Sequence, residues 1–302
     1  MPFPLLHYLR RRLGLLTLVA ALGAGAFAGC AHLDEQQRRW IFQARADAPW
    51  TEAQRQRRDD GMTNVWLEHR SRASGRDVRL HAVWWPSEAA GAPVLLYLHG
   101  ARRNVEMSLS RIAQMRDLGF SVLAVDYRGF GQSTDELPSQ DGVIEDAQAA
   151  WDWIARNHPG LPRYIYGHSL GGAIAVQLAA SRADEQGVIV DGSFTSVPDV
   201  VRTFKWGWLP LGPLITQRFD SAAAISRVGS PVLIVHGSRD GFILPELGRA
   251  LYDKAVEPKR FVLIEGGRHY TGAAMGEAQY REALLELFGL GAGRARTGTP
   301  NR

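Results

Sequence analysis

Three residues in this chain, Ser169, Asp240 and His269, have the types and positions that nucleophilic chemistry needs. Ser169 is the centre of Gly167-His168-Ser169-Leu170-Gly171. Before it runs Tyr164-Ile165-Tyr166, β-branched and aromatic, which suits a short buried strand. After it, Gly172 to Ala180 is rich in Ala and Leu and suits a packed helix. So tight a turn strains the backbone of its central residue, and glycines at 167 and 171 let strand and helix approach. The serine hydroxyl is then expected at the strand's C-terminal end, beside a helix N-terminus. Free N–H groups and partial positive charge there favour a developing oxyanion.

A serine hydroxyl is a poor nucleophile unless a base takes its proton and a third group orients that base. The chain holds nine histidines. His7 and His32 lie at the N-terminus, His69 and His81 in a hairpin, and His158 at a helix end. His168 is the variable residue inside the turn and is not placed to serve its neighbour. His99 and His236 each precede a glycine at a strand end. Only His269, in Gly266-Gly267-Arg268-His269, follows the final strand on a loop able to swing back over Ser169. The acid is expected at the end of the strand before, where His236-Gly237-Ser238-Arg239-Asp240 supplies Asp240. Asp184, Glu185, Asp191 and Asp253 are worse placed, and Asp126 is expected to pin its own Gly-rich loop by hydrogen bonds. Two oxyanion donors are expected from backbone N–H groups. One is that of Leu170; the other is that of Ala101, in the loop after the first buried strand. Arg102 and Arg103 nearby read as solvated loop charges.

These residues need a scaffold of alternating strands and helices. Val65–His69 and Val78–Trp85 flank Ser74-Gly75-Arg76-Asp77, a hairpin signal. Continuous apolar runs at 93–98, 121–125, 188–190, 231–235 and 261–264, with the strand before Ser169, read as strands buried on both faces. Helical patterns fall near 105–118, 143–157, 245–254 and 277–288. The result is an α/β fold: a mostly parallel sheet of about eight strands covered by helices on both faces, with chemistry at the C-terminal strand ends. Between 196 and 230 an apolar insert carries Phe204, Trp206, Trp208 and Leu209, read as a short lid over an acyl pocket. A cap that simply packs on the sheet is the alternative.

The N-terminus reads as an address. Arg10-Arg11-Arg12 precedes the apolar run 13–22, and small residues lead to Ala28-Gly29-Cys30. Cys30 is the only cysteine of 302 residues, which excludes an internal disulfide framework. The stretch resembles the lipobox of bacterial lipoproteins, although Phe27 departs from the usual aliphatic residue. That resemblance implies cleavage after residue 29 and lipidation of Cys30. Ala31 in place of Asp implies an outer membrane facing the periplasm. Residues 30–61 are then a polar tether with some helical tendency, whose Trp40, Ile41, Phe42 and Trp50 dock on the domain. The domain spans 62–290 and a disordered tail 291–302. With a formal net charge of +4 and no basic face interleaved with aromatics, nucleic acid is not an expected partner. Oligomeric state is left open.

Taken together, Leu98-His99-Gly100, Asp126-Tyr127-Arg128-Gly129-Phe130-Gly131, the Ser169 pentapeptide, His236–Asp240 and Gly267-Arg268-His269 resemble the α/β-hydrolase superfamily over residues 65–290. Asp191-Gly192-Ser193-Phe194-Thr195-Ser196 and the short insert resemble its small-lid esterase, peptidase-like and thioesterase branch. Arg268 stands where a small residue is common. The resemblance implies Ser169 as nucleophile, His269 as base and Asp240 as its orienter, in agreement with position alone. Serine rather than aspartate at the turn implies acyl transfer through an acyl-enzyme, with no cofactor and no metal. The expected substrate is a small-molecule carboxylic ester or thioester. A peptidase or amidase of the same fold, and a non-catalytic envelope lipoprotein that has kept the fold, are the alternatives.

Overall fold

The computed structural model describes residues 29–44 and 61–290. The expected signal peptide up to residue 28, the middle of the tether and the tail from 291 lie outside the described residues. Eight strands form one sheet: β1 Thr63–Arg70, β2 Asp77–Trp85, β3 Val94–Leu98, β4 Ser121–Val125, β5 Arg163–His168, β6 Gly187–Asp191, β7 Val232–Gly237 and β8 Lys259–Ile264. Their spatial order is β1-β2-β4-β3-β5-β6-β7-β8. The hairpin β1–β2 is antiparallel, with Thr63 opposite Trp84 and Arg70 opposite Asp77, and β2 is antiparallel to β4. From β4 to β8 every pairing is parallel.

Side-chain alternation along the strands divides the interior into two cores. Val94, Leu96 and Leu98 of β3 face one, together with Ile165, Val188, Val190 and Ile234. Helices Gln140–Asn157, Leu170–Ala179 and Pro245–Lys254 cover that side, and they contribute Val143, Ala147, Trp151, Ile174 and Leu251 to it. Leu95 and Tyr97 face the other core, covered by helices Leu109–Asp117 and Glu277–Phe288 with Ile112, Met115, Tyr280 and Leu284. The expected helix near 105–118 begins instead as a 3-10 turn, Glu106–Ser108, before the α-helix proper.

Two features of the fold bear on function. Residues 29–42 are helical, over the first part of the stretch read as a polar tether with some helical tendency. That helix is docked: Phe42 is fully buried and sits edge-on to Phe219, ring centroids 5.9 Å apart. The chain stays down because the Phe42 carbonyl accepts the Arg102 N–H at 3.0 Å. The Gln37 amide also bonds the Leu214 carbonyl at 2.7 Å and the Thr216 N–H at 2.9 Å. Within the insert, the helices Val197–Arg202 and Ser221–Ile225 flank a run of turns and one 3-10 segment, Gly212–Leu214. No helix of the described residues is long and apolar enough to cross a membrane.

Candidate active site

The turn after β5 is built on strain at one residue. Ser169 has φ 56° and ψ −121°, a region that L-residues rarely adopt. Glycine is required on both sides of it because backbones meet there. A Cβ on Gly167 would strike Gly171, and one on Gly171 would strike the Leu98 carbonyl of β3. The strained conformation is held from outside: the Ser169 N–H donates to the Asp191 carbonyl at 2.9 Å, and the Ser193 hydroxyl donates to the Ser169 carbonyl at 2.8 Å.

Three loops bring the polar side chains together. His269 Nε2 lies 3.0 Å from Ser169 Oγ, and His269 Nδ1 lies 2.7 Å from Asp240 Oδ2. All three residues are buried. The other oxygen of Asp240 accepts the N–H groups of Phe242 and Ile243, each at 2.9 Å, which fixes the carboxylate's rotation. Burial by itself raises the Asp240 pKa. The His236 and His269 imidazoles and the Ile243 N–H outweigh it, so the carboxyl stays ionised well below the usual range. His236 Nε2 is 3.4 Å from Asp240 Oδ2 and donates to the Ile243 carbonyl at 2.9 Å, tying the same loop to β7.

The other carboxylates at strand ends are engaged elsewhere. Asp191 is occupied by Arg111 and by the Tyr166 hydroxyl, the latter at 2.7 Å. Asp126 does more than hold its own loop: its Oδ1 accepts the Val105 N–H at 2.7 Å, anchoring the loop after β3 that contains Ala101. Ala101 and Leu170 both border the cavity into which Ser169 opens. Arg102 borders it too, whereas Arg103 donates to the Met107 carbonyl at 2.7 Å and lies 4.4 Å over the Tyr270 ring.

His168 has a use that sequence reasoning missed. Its Nε2 lies 2.9 Å from the His269 carbonyl, which only accepts, so Nε2 carries the proton. Burial, first, and the charge of Arg111, second, depress its pKa well below the ordinary histidine value and keep it neutral. The turn therefore presents Ser169 and, from the adjacent residue, grips the backbone of the facing histidine.

The cavity over Ser169 is apolar except for Gln43, Arg102, Ser169 itself and the Tyr270 hydroxyl. Of the four insert residues expected to line it, only Phe204 does. Trp206, Trp208 and Leu209 do not line it; the two tryptophans are 62 and 74% exposed, while Phe204, itself 40% exposed, stands at the cavity's rim. Tight turns explain the split: the Gly207 N–H bonds the Phe204 carbonyl at 2.8 Å and the Leu209 N–H bonds the Trp206 carbonyl at 3.1 Å, so neighbouring side chains splay apart. The walls come instead from Val197, Val200 and Val201 of the first insert helix, from Phe194, Phe242 and Ile243, and from Trp40 and Ile41 of the N-terminal helix. The one advance signal for the last two was apolar residues isolated in a polar stretch. Among the described residues no group of His, Cys, Asp and Glu side chains is arranged to hold a metal ion.

An eight-stranded sheet in this order, with a strained serine, a histidine and a carboxylate at its C-terminal edge, defines a class, and comparison with known proteins agrees. The family described as "Serine aminopeptidase, S33" matches residues 90–221. The uncharacterised protein Rv2307c of Mycobacterium tuberculosis is 33% identical over 207 residues, 65% of this chain and 73% of that one. The lysophosphatidylserine lipase ABHD12 of Danio rerio is 30% identical over 197 residues, 59% of this chain and 51% of that one. The chain thus spans about half the length of the lipase. Among solved structures, the esterase Pf2001 of Pyrococcus furiosus superposes with TM-score 0.62 at 18% identity, over 81% of this chain and 97% of that one. Est1E of Butyrivibrio proteoclasticus, bound to ferulic acid, gives 0.60 at 19% identity, over 70% and 96%. At such identities these two speak for the fold alone. The chain belongs to the α/β-hydrolase family.

Proposed function

We propose that the protein is a serine hydrolase that cleaves carboxylic esters or thioesters through an acyl-enzyme at Ser169. The observation that carries this reading is the single file of atoms from Asp240 Oδ2 through His269 to Ser169 Oγ, at 2.7 and 3.0 Å, opening into an apolar cavity. His269 Nε2 takes the hydroxyl proton as Ser169 Oγ bonds to the acyl carbon. The backbone N–H groups of Leu170 and Ala101 receive the oxyanion. His269 returns the proton to the leaving alcohol or thiol, and a water activated in the same way releases the acid. No cofactor enters this scheme.

Peptidase or amidase activity is the second reading, favoured by the description of the matching family. The cavity favours esters: an aminopeptidase must hold a cationic amino group, whereas among the described residues no carboxylate lines the cavity and Arg102 does. A non-catalytic envelope protein is the third, and one experiment separates it from the others. A fluorophosphonate probe is expected to label wild-type protein and not Ser169→Ala, with p-nitrophenyl ester hydrolysis falling on the order of 10³-fold or more in the variant. Labelling that persists without Ser169, or wild-type protein that never labels, rejects the reading.

The proposal extends to location. Cleavage after residue 29 and lipidation of Cys30 place the enzyme on the bacterial envelope, at an outer membrane facing the periplasm. The pattern around the chain's only cysteine supports this, as does the exposure of Cys30 at the start of the N-terminal helix. Several acyl chains on one residue make a stable anchor where a single chain does not. Intact-mass measurement of the mature chain tests it; a free thiol at Cys30 or a different first residue rejects it.

A further inference from the structure

We infer that the turn run of the insert and the outer face of the N-terminal helix form a bilayer-docking surface around the mouth of the acyl cavity, through which a membrane-dissolved amphiphilic ester enters; this rests on the reading of Ser169 as an acyl-transfer nucleophile. Trp206 and Trp208 are 62 and 74% exposed, and Leu214 is 56% exposed. Leu33 and Trp40 lie seven residues apart, hence on one face of the N-terminal helix, and are 41 and 52% exposed. Gln37, between them on that face, is tied to the insert at Leu214 and Thr216. Trp40 also meets Phe204 edge-on at 6.1 Å. The exposed groups therefore make one strip running from the helix across the insert, and its members Trp40 and Phe204 are also walls of the cavity above Ser169.

A phospholipid surface is the occupant these features fit. Exposed tryptophans beside a cation suit the headgroup region, and the Lys205 ammonium lies 5.8 Å from the Trp206 ring. A protein seated on the strip would cover the mouth that Trp40 and Phe204 border, whereas a fluid bilayer delivers substrate through the same contact. The chain's own course agrees. With Cys30 as the lipidated first residue, the anchor stands at the start of the N-terminal helix, and along that helix Cys30 is only about 15 Å from Trp40. An anchor at that end holds the strip within reach of the membrane.

The test uses the full-length chain reconstituted into vesicles of equimolar phosphatidylcholine and phosphatidylglycerol. Brominated acyl chains are expected to quench wild-type tryptophan fluorescence, and Trp206→Phe with Trp208→Phe to remove most of that quenching. Trp206→Ser with Trp208→Ser is expected to hydrolyse dissolved p-nitrophenyl butyrate within about twofold of wild type, because neither ring lines the cavity. Its turnover of p-nitrophenyl palmitate embedded in the vesicles is expected to fall on the order of tenfold. Equal losses on the two esters, no loss on the embedded one, or tryptophans shielded by a second copy of the chain overturn the inference. If wild-type protein hydrolyses neither ester, the acyl-transfer reading fails, while the quenching result still judges the docking surface.

Discussion

His168 and His269 face each other across the active-site cleft and hold opposite assignments. In the proposed mechanism His269 exchanges a proton; His168 must not, because its Nε2–H holds the His269 carbonyl. Replacing His168 by Phe keeps a ring but removes the donor. We expect kcat to fall on the order of tenfold with KM little changed, because a base displaced by a fraction of an ångström misses the hydroxyl, and His168→Gln to recover part of the loss. A KM effect equal to the kcat effect would instead make His168 part of the binding wall. Its depressed pKa also has a consequence for stability. The unfolded chain takes up this proton near the ordinary value of about 6.5 while the native state does not, so native stability falls as pH drops below that value. The melting temperature is expected to decline less between pH 7 and pH 5 in His168→Phe than in wild type. The Asp240 carboxyl has the same sign in a lower window. Its folded pKa is depressed, so its contribution is whole above the unfolded value of about 3.9 and is lost as pH falls further. Asp240→Asn is therefore expected to melt below wild type at neutral pH, with the gap narrowing as pH falls below about 4. It is also expected to lose most activity at neutral pH, since His269 loses its orienting acceptor. Equal melting-temperature gaps at pH 7 and pH 3 would contradict the electrostatic account of Asp240.

At the scale of elements, the line between what could be read from sequence and what could not follows sequence distance. Ser169, Asp240 and His269 each stand out by position after a strand, and β5, β7 and β8 are neighbouring or near-neighbouring strands, so their loops converge on one edge of the sheet. The strands declare themselves as apolar runs, and their order follows from the crossover rules of a parallel sheet. The cavity walls do not declare themselves. Trp40 and Ile41 reach Ser169 only because a helix more than a hundred residues earlier docks on the insert through Gln37 and Phe42; isolated apolar residues in a polar stretch announce docking but not the surface they meet. That Phe204 lines the cavity and Trp206 does not is equally illegible, because a run of turns has no period to read. The docked helix gives a prediction of its own. Trp40→Ala widens the wall without touching Ser169, His269 or Asp240, so hydrolysis of short p-nitrophenyl esters is expected to persist. The preferred acyl length is expected to lengthen by one or more carbons, measured as kcat/KM across a graded series. An unchanged length profile would remove the N-terminal helix from the binding site.

Across the whole molecule, the antiparallel hairpin forms one edge of the sheet, and a buried ion-pair network around Arg128 ties it to the loop after β4 and to a covering helix. Arg128, in the loop after β4, is almost wholly buried. It donates to Asp146 of the helix Gln140–Asn157 through Nη2 at 2.7 Å and through Nε at 3.1 Å. Arg128 also reaches the hairpin at Ser71 Oγ, 2.9 Å away, and His69 of β1 approaches Asp146 at 3.0 Å. Sheet edge, loop and helix thus meet at one carboxylate that has no exposure to water. Desolvating both ions costs much of what their attraction returns, so such a pair is not strong evidence of net stability, but breaking it from one side strands a buried charge. Arg128→Met is expected to destabilise the fold by about 3–5 kcal/mol in urea unfolding. Arg128→Met with Asp146→Leu is expected to recover part of that loss, because the fully buried carboxylate leaves with its partner, while Glu136 and Glu145, 3.4 and 3.6 Å from the guanidinium, still lose their cation. The network lies away from the cavity over Ser169, so the folded fraction of each variant should keep its ester hydrolysis. A double variant no more stable than the single one would mean that the hairpin is held by the geometry of these hydrogen bonds rather than by the need to pair a buried carboxylate.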